Sequence, residues 1–222
     1  MNLSNPDFIK LADLAIEAAV DAGDLIASYK NKPLDIGSKK IQNSRAPKTQ
    51  VGSSLASQVV TEVDIKSQEI ILDALLPSVK EYDLGLLAEE SEDDSSRFEK
   101  DYFWAIDPLD GTLCFTEGKG GYSVAIALVN RSGKPQIGVV FDPVRKTLYH
   151  AIARNGAYRN NAPFTPLSQP PASRFSLIHD RSFGKQKLYP RIIESLNVIS
   201  KNLGYTDFQF YEFGGSVMNG FR

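Results

Sequence analysis

The sequence is poor in the residues that most often carry covalent catalysis. Its 222 residues include one cysteine, Cys114, so no internal disulfide can form. The only histidines are His150 and His179, and nothing in the sequence pairs either with Cys114 as a base, so a nucleophilic cysteine is set aside. His150 lies within a strand pattern and reads as a structural histidine with its hydrogen bonds satisfied. There is no basic surplus either: 25 Lys and Arg against 27 Asp and Glu leave a net charge of −2, which argues against nucleic acid as a partner. No apolar run approaches the roughly 18 residues of a membrane-spanning helix. The first turns carry Asp7, Asp13 and Glu17 where a secretory leader needs an apolar core. These absences predict a cytoplasmic protein with no membrane or nucleic-acid partner, and leave small anionic substrates open.

What remains is an ordinary globular composition, 42% hydrophobic with 16 Gly and 12 Pro, long enough for one large or two small cores. Asn5-Pro6-Asp7 is a helix-start signal, and Phe8, Leu11, Ala12, Ala15, Ala18, Ala19, Ala22, Leu25 and Tyr29 follow at helical spacing. From Asn31 to Ser57 the chain is polar and without period, a surface loop or loose hairpin whose Lys39, Lys40 and Lys48 could reach an anion. Gln58 to Val63 reads as a strand leading to Asp64. That residue can cap a helix running to Leu76 with Ile65, Ile71, Leu72 and Leu75 buried. Leu84 to Ala88 reads as another buried strand, delivering Glu89 and Glu90 to its end. Beyond Phe115, the runs Tyr122–Asn130, Gln136–Phe141 and Leu148–Ala153 alternate with turn signals at Gly133, Asp142-Pro143, Asn155-Gly156 and Asn160-Asn161. Such spacing predicts an antiparallel meander.

The stretch Trp104-Ala-Ile-Asp-Pro-Leu-Asp-Gly-Thr112 is the chemical centre of the sequence. Tyr102 to Ile106 reads as a buried strand that Pro108 should stop, since proline cannot donate to the ladder. Asp110 can cap a helix, and Gly111 lets the backbone approach a ligand closely. A helix start suits a phosphate oxyanion, but Asp107 and Asp110 would repel one unless a hard cation lay between them. Mg²⁺ with phosphate is one reading. An ordinary strand-to-helix turn with a capping aspartate is the other.

Together with Leu86-Leu-Ala-Glu-Glu-Ser91 and Val59-Val-Thr-Glu-Val-Asp64, the segment Asp107-Pro-Leu-Asp-Gly-Thr112 resembles the inositol monophosphatase superfamily of Mg²⁺-dependent phosphatases. The resemblance implies a layered αβαβα fold of mixed α+β and α/β character. It also implies two or three Mg²⁺ ions, a small phosphorylated substrate and, as an open option, a homodimer. It implies metal ligation by Glu89, Asp107, the carbonyl of Leu109 and Asp110. Asp64 and Thr112 would orient the attacking water, with Glu89 in the catalytic set and Glu90 in support. Asp110, Gly111 and Thr112 would hold the phosphate, joined by Gly215 and Ser216 of the Gly214-Gly-Ser216 segment. The Leu form of the motif, with Tyr122–Val129 and Gly133–Pro143, looks most like the bacterial 3′(2′),5′-bisphosphate nucleotidases. Those enzymes act on 3′-phosphoadenosine 5′-phosphate in sulfur metabolism. Leu113-Cys114 departs from the Lys-Glu often found there, and inositol monophosphate or another sugar phosphate is the alternative.

The Pro-, Ser- and Ala-rich segment Pro163 to Arg174 predicts a crossing between an N-terminal α+β domain, 1–165, and a partial C-terminal α/β domain, 166–222. In the latter, Phe175–Ile178, Lys187–Leu203 and Phe208–Tyr211 read as strand, helix and parallel strand. The superfamily's closing Trp-Asp motif has no counterpart, because the single tryptophan, Trp104, is in the central motif. On that reading the C-terminal part is truncated and the second metal site incomplete. A non-catalytic member that binds metal or phosphate is then a further alternative.

Overall fold

The computed structural model describes residues 3–29, 36–38, 59–165, 173–179 and 181–220. Lys39, Lys40 and Lys48, and most of the expected crossing at 163–174, lie outside the described residues.

Helix α1 (Asn5–Ser28) starts with a capping box: the Ser4 N–H and hydroxyl both donate to Asp7 Oδ2, at 2.8 and 2.6 Å. Its buried stripe is nearly all alanine, from Ala12 to Ala22, with Leu11 and Ile26 at the ends. Small side chains let the helix lie close to the sheet. At Gly23 even a methyl group would come within 2.3 Å of the Phe141 ring. Strand β1 (Ile36–Ser38) pairs antiparallel with β2 (Val59–Thr61), which runs into α2 (Glu62–Glu81). That helix continues past the expected end at Leu76, through Pro77 to Glu81. Its buried face is Val63, Asp64, Ser67, Gln68, Ile71, Leu75 and Ser78, so Ile65 is exposed rather than buried.

One sheet takes its seven strands in sequence order: β3 (Gly85–Ala88), β4 (Tyr102–Asp110), β5 (Ser123–Asn130), β6 (Pro135–Asp142), β7 (Thr147–Ile152), β8 (Gly156–Arg159) and β9 (Ala162–Pro163). β3 and β4 are parallel and every later pair is antiparallel, the expected meander extended by β8 and β9. Period-2 alternation divides the sheet into two faces. Trp104, Ile106, Val124, Ile126, Leu128, Ile137, Val139 and Phe141 are buried in one core cluster with the inner residues of α1 and α2. Trp104 is fully enclosed, and its indole N–H donates to Ser78 Oγ at 3.0 Å. The opposite face presents Ala105, Asp107, Ala125, Ala127, Gly138 and Val140. With Leu87, Glu89 and Val217 these residues line a cavity of about 570 Å³.

Pro108 does not end β4 at Ile106 as expected. The strand continues to Asp110, but its register slips: Asp107 faces Ala125 while Asp110 faces Ser123, three residues of β4 against two of β5. A bulge of this kind accepts a proline because the ladder is already broken there. His150 also departs from expectation. Its ring stacks on Tyr158 across the β7–β8 pair at 5.0 Å, and neither buried ring nitrogen has a hydrogen-bond partner.

Beyond β9 come β10 (Arg174–His179), α4 (Arg181–Gly184), α5 (Tyr189–Asn202) and β11 (Asp207–Glu212), with β10 and β11 parallel as expected. This unit is thinly packed. Ser200 is the only buried residue of α5, while Leu188, Val198, Ile199, Leu203 and Phe210 are exposed. Two short helices complete the fold, α3 (Thr112–Thr116) after β4 and α6 (Ser216–Asn219) after β11. No described helix is long and apolar enough to cross a membrane.

Candidate functional site

The strand ends and helix starts meet at the C-terminal end of β4. β3 delivers Glu89, whose N–H donates to the Ile106 carbonyl at 3.1 Å, so Glu89 is registered beside Asp107. The two carboxyls meet at this point of the sheet. Burial, then the charge of Glu89 and the bond to it, push Asp107 up to about 9. The Asp107 Oδ1 atom also accepts the Leu109 N–H at 3.1 Å, shaping the turn.

Asp64 enters from α2. It is not the cap residue itself, as its position suggested; Thr61 is, and Asp64 is the reciprocating third residue. The Thr61 N–H and hydroxyl donate to Asp64 Oδ2 at 2.8 and 2.6 Å. Its other oxygen, Oδ1, lies 2.9 Å from the Thr112 hydroxyl, which is also 3.1 Å from the Leu109 carbonyl. One hydroxyl proton cannot serve both, and the carboxylate is the stronger acceptor. Asp64 is 1% exposed, and burial raises its pKa against the lowering effect of these bonds.

Asp110 was expected to cap the helix that follows it. That cap is Gly111, whose φ of +89° suits a residue without Cβ. Asp110 instead points at α6, accepting the Ser216 N–H on Oδ1 at 2.9 Å and the Val217 N–H on Oδ2 at 3.0 Å. The structure therefore brings Gly215 and Ser216 to the central motif, next to Asp110 and Gly111. Burial is also the main cause that raises Asp110.

Two α2 residues were missed in the sequence. The Ser67 hydroxyl donates to the Pro108 carbonyl at 2.8 Å. Gln68 accepts the Glu90 N–H at 2.9 Å and donates to Ser91 Oγ at 2.7 Å. They fix the two loops that carry the carboxylates. Their spacing of three and four from Asp64 puts them on the same helix face, a signal that was available.

Oxygen donors alone make up this site: carboxylates, a backbone carbonyl and a hydroxyl. Crowded, buried carboxyls suit a hard divalent cation, which would relieve their repulsion. As they stand, Glu89 and Asp107 face each other and Asp110 faces α6. Among the described residues no three His, Cys, Asp or Glu side chains form a ready cluster.

The structure thus defines a layered α+β protein with an oxygen-donor site where its central strand meets a glycine turn. Sequence comparison narrows it. The chain belongs to the inositol monophosphatase family, whose profile matches residues 9–218. A Nus factor SuhB of Vibrio cholerae is 36% identical over 152 residues, 68% of this chain and 51% of that protein. An inositol-1-monophosphatase of Bacillus subtilis is 27% identical over 135 residues, 61% of this chain and 50% of that one. The chain thus spans about half the length of the curated relatives it matches. Among solved structures, CysQ from Bacteroides thetaiotaomicron superposes with a TM-score of 0.68 at 27% identity, covering 96% of this chain and 76% of that one.

Proposed function

We propose that this chain hydrolyses a phosphate monoester with Mg²⁺, and that the ester is 3′-phosphoadenosine 5′-phosphate. The observation that carries the hydrolytic half is the Thr61–Asp64–Thr112 chain. One Asp64 oxygen is occupied by the helix cap, and the other takes the Thr112 proton. The Thr112 hydroxyl then has only lone pairs to offer, so it accepts a hydrogen bond from a water and turns that water's own lone pair outward. Glu89, Asp107 and the Leu109 carbonyl would hold Mg²⁺. The ion supplies Lewis-acid polarisation of the phosphoryl group.

Gly111 and Thr112 would offer backbone N–H groups to phosphate oxygens. The oriented water attacks phosphorus and releases one proton to solvent as the ester P–O bond breaks opposite it, and the alcohol oxygen leaves with a proton from solvent. No covalent intermediate is required, in keeping with Cys114 being buried. The nucleotide preference rests on Leu109 in the Asp-Pro-Leu-Asp motif and on the β5 and β6 sequences. The Bacillus relative's name supports a second substrate, inositol 1-phosphate.

Phosphate release from the two esters, with and without Mg²⁺, tests both parts. Release that needs Mg²⁺ and is lost in Asp107→Asn supports the hydrolase, and the faster ester identifies the substrate. A folded chain that releases nothing from either ester overturns the reading and favours a binding role.

A further inference from the structure

We infer, resting on the Mg²⁺-dependent reading above, that Ser67 and Gln68 are positioning residues. From α2 they set the spacing of the Glu89 and Asp107 carboxylates, and with it the affinity of the pair for a divalent cation.

Strands β3 and β4 run in parallel register from Gly85 with Phe103 to Ala88 with Ile106, and the bond from the Glu89 N–H to the Ile106 carbonyl closes this ladder. Each chain leaves its neighbour at the residue after its carboxylate, and α2 takes up both. Beyond Glu89, the Glu90 N–H donates to Gln68 Oε1 at 2.9 Å, and Gln68 Nε2 donates to Ser91 Oγ at 2.7 Å. Beyond Asp107, the Pro108 carbonyl accepts the Ser67 hydroxyl at 2.8 Å. Neighbouring side chains on a helix diverge by about 100°. A single rigid element therefore reaches both loops. Ser67 is fully enclosed and Gln68 nearly so, which shields these bonds from competing water.

Ser67 also governs which carbonyl of the bulge is left to the site. Pro108 and Leu109 are buried where the register slips, so their carbonyls need partners from outside the ladder. The Ser67 hydroxyl satisfies Pro108, and Asp64 draws the Thr112 proton away from the Leu109 carbonyl. The Leu109 oxygen keeps its lone pairs for a cation. In Ser67→Ala the Pro108 oxygen loses its partner in a buried setting, and the bulge must turn to find it another. Ser78 is the matched case without this role. It is buried on the same helix, but its hydroxyl donates to the Leu75 carbonyl and accepts the Trp104 indole N–H, and neither partner belongs to the loops that carry the carboxylates.

The test uses the full chain, with Mn²⁺ binding followed by electron paramagnetic resonance and unfolding followed in urea. Ser67→Ala and Gln68→Met should each weaken Mn²⁺ binding about tenfold in protein that is still folded, the scale of losing a group that orients a metal ligand. Gln68→Glu keeps an acceptor for the Glu90 N–H and lets the Ser91 hydroxyl donate in its turn, so it should bind Mn²⁺ at least as tightly as the wild type. Ser78→Ala should lower the urea midpoint and leave Mn²⁺ affinity unchanged. Saturating Mg²⁺ should bring phosphate release in Ser67→Ala and Gln68→Met back towards the wild-type rate, since the donors are displaced and not removed. Unchanged Mn²⁺ affinity in those two variants, or an equal loss in Ser78→Ala, overturns the assignment and leaves the hydrolase reading in place. A loss in Gln68→Glu as large as in Gln68→Met does the same. A wild-type chain that binds no Mn²⁺ overturns both.

Discussion

Helices α1 and α2 begin with the same device and put it to different uses. Ser4 with Asp7, and Thr61 with Asp64, make matching bonds of 2.8 and 2.6 Å to one aspartate oxygen. At α1 the box faces solvent, and its bonds to Ser4 hold the Asp7 carboxyl below its usual value. At α2 the box is buried against the central motif, burial raises Asp64, and the spare oxygen reaches Thr112. Local sequence builds the cap in both places. Only the tertiary surroundings of the second convert it into part of a site.

Exchanging an aspartate for asparagine separates the two most sharply. Asparagine has one acceptor oxygen, so in Asp64→Asn either the cap or the Thr112 contact must face an NH₂ group. Phosphate release should fall about a hundredfold or more, and Asp7→Asn should leave it unchanged. Equal effects in the two variants would break the distinction.

Cap removal comes next in size. Thr61→Ala should cost about 1–2 kcal/mol by urea denaturation, because its partner is buried. Ser4→Ala should cost a fraction of that. A third difference is in pH dependence. Asp7, depressed when folded, contributes stability above the ordinary carboxylate pKa that is lost as pH falls through its folded value. Asp64, raised when folded, contributes most below the ordinary value and loses that contribution as pH rises through its folded one. Urea midpoints between about pH 3 and 7 should therefore lose slopes of opposite sign in Asp7→Asn and Asp64→Asn. The smallest effect belongs to Thr112→Ser, which keeps the hydroxyl and should retain activity within about tenfold.

The contrast also explains what the sequence disclosed. The α1 stripe and the strands from β3 to β7 were legible because burial on one face writes a period into the chain. β8 and β9 were not, since strands of four and two residues between turns carry too little pattern. Asp107 stood out by type and spacing, while Asp64, Glu89 and Thr112 were marked by the resemblance of the three motifs. Asp110 was taken for a local cap because its real partners, Ser216 and Val217, are remote in sequence. Pro108 was taken for a strand end because a bulge leaves no mark beyond the proline itself. His150 was given partners it lacks, since the Tyr158 ring that stacks on it lies on a strand that was not foreseen.

The junction of Asp110 with Ser216 and Val217 has a consequence for the time course of folding. Closing a loop of 106 or 107 residues costs more entropy than any hairpin in the sheet, and contacts of such separation are slow to form. The meander and α2, which packs on β4, join nearer neighbours and can assemble first, whereas α1 reaches β5, β6 and β7 over separations as long as that of the junction. A refolding chain should acquire its core fluorescence, reported by Trp104, before it protects the Ser216 amide. Between those two moments the molecule has its scaffold and its carboxylates but an open wall, so the candidate site is the last part of it to be completed.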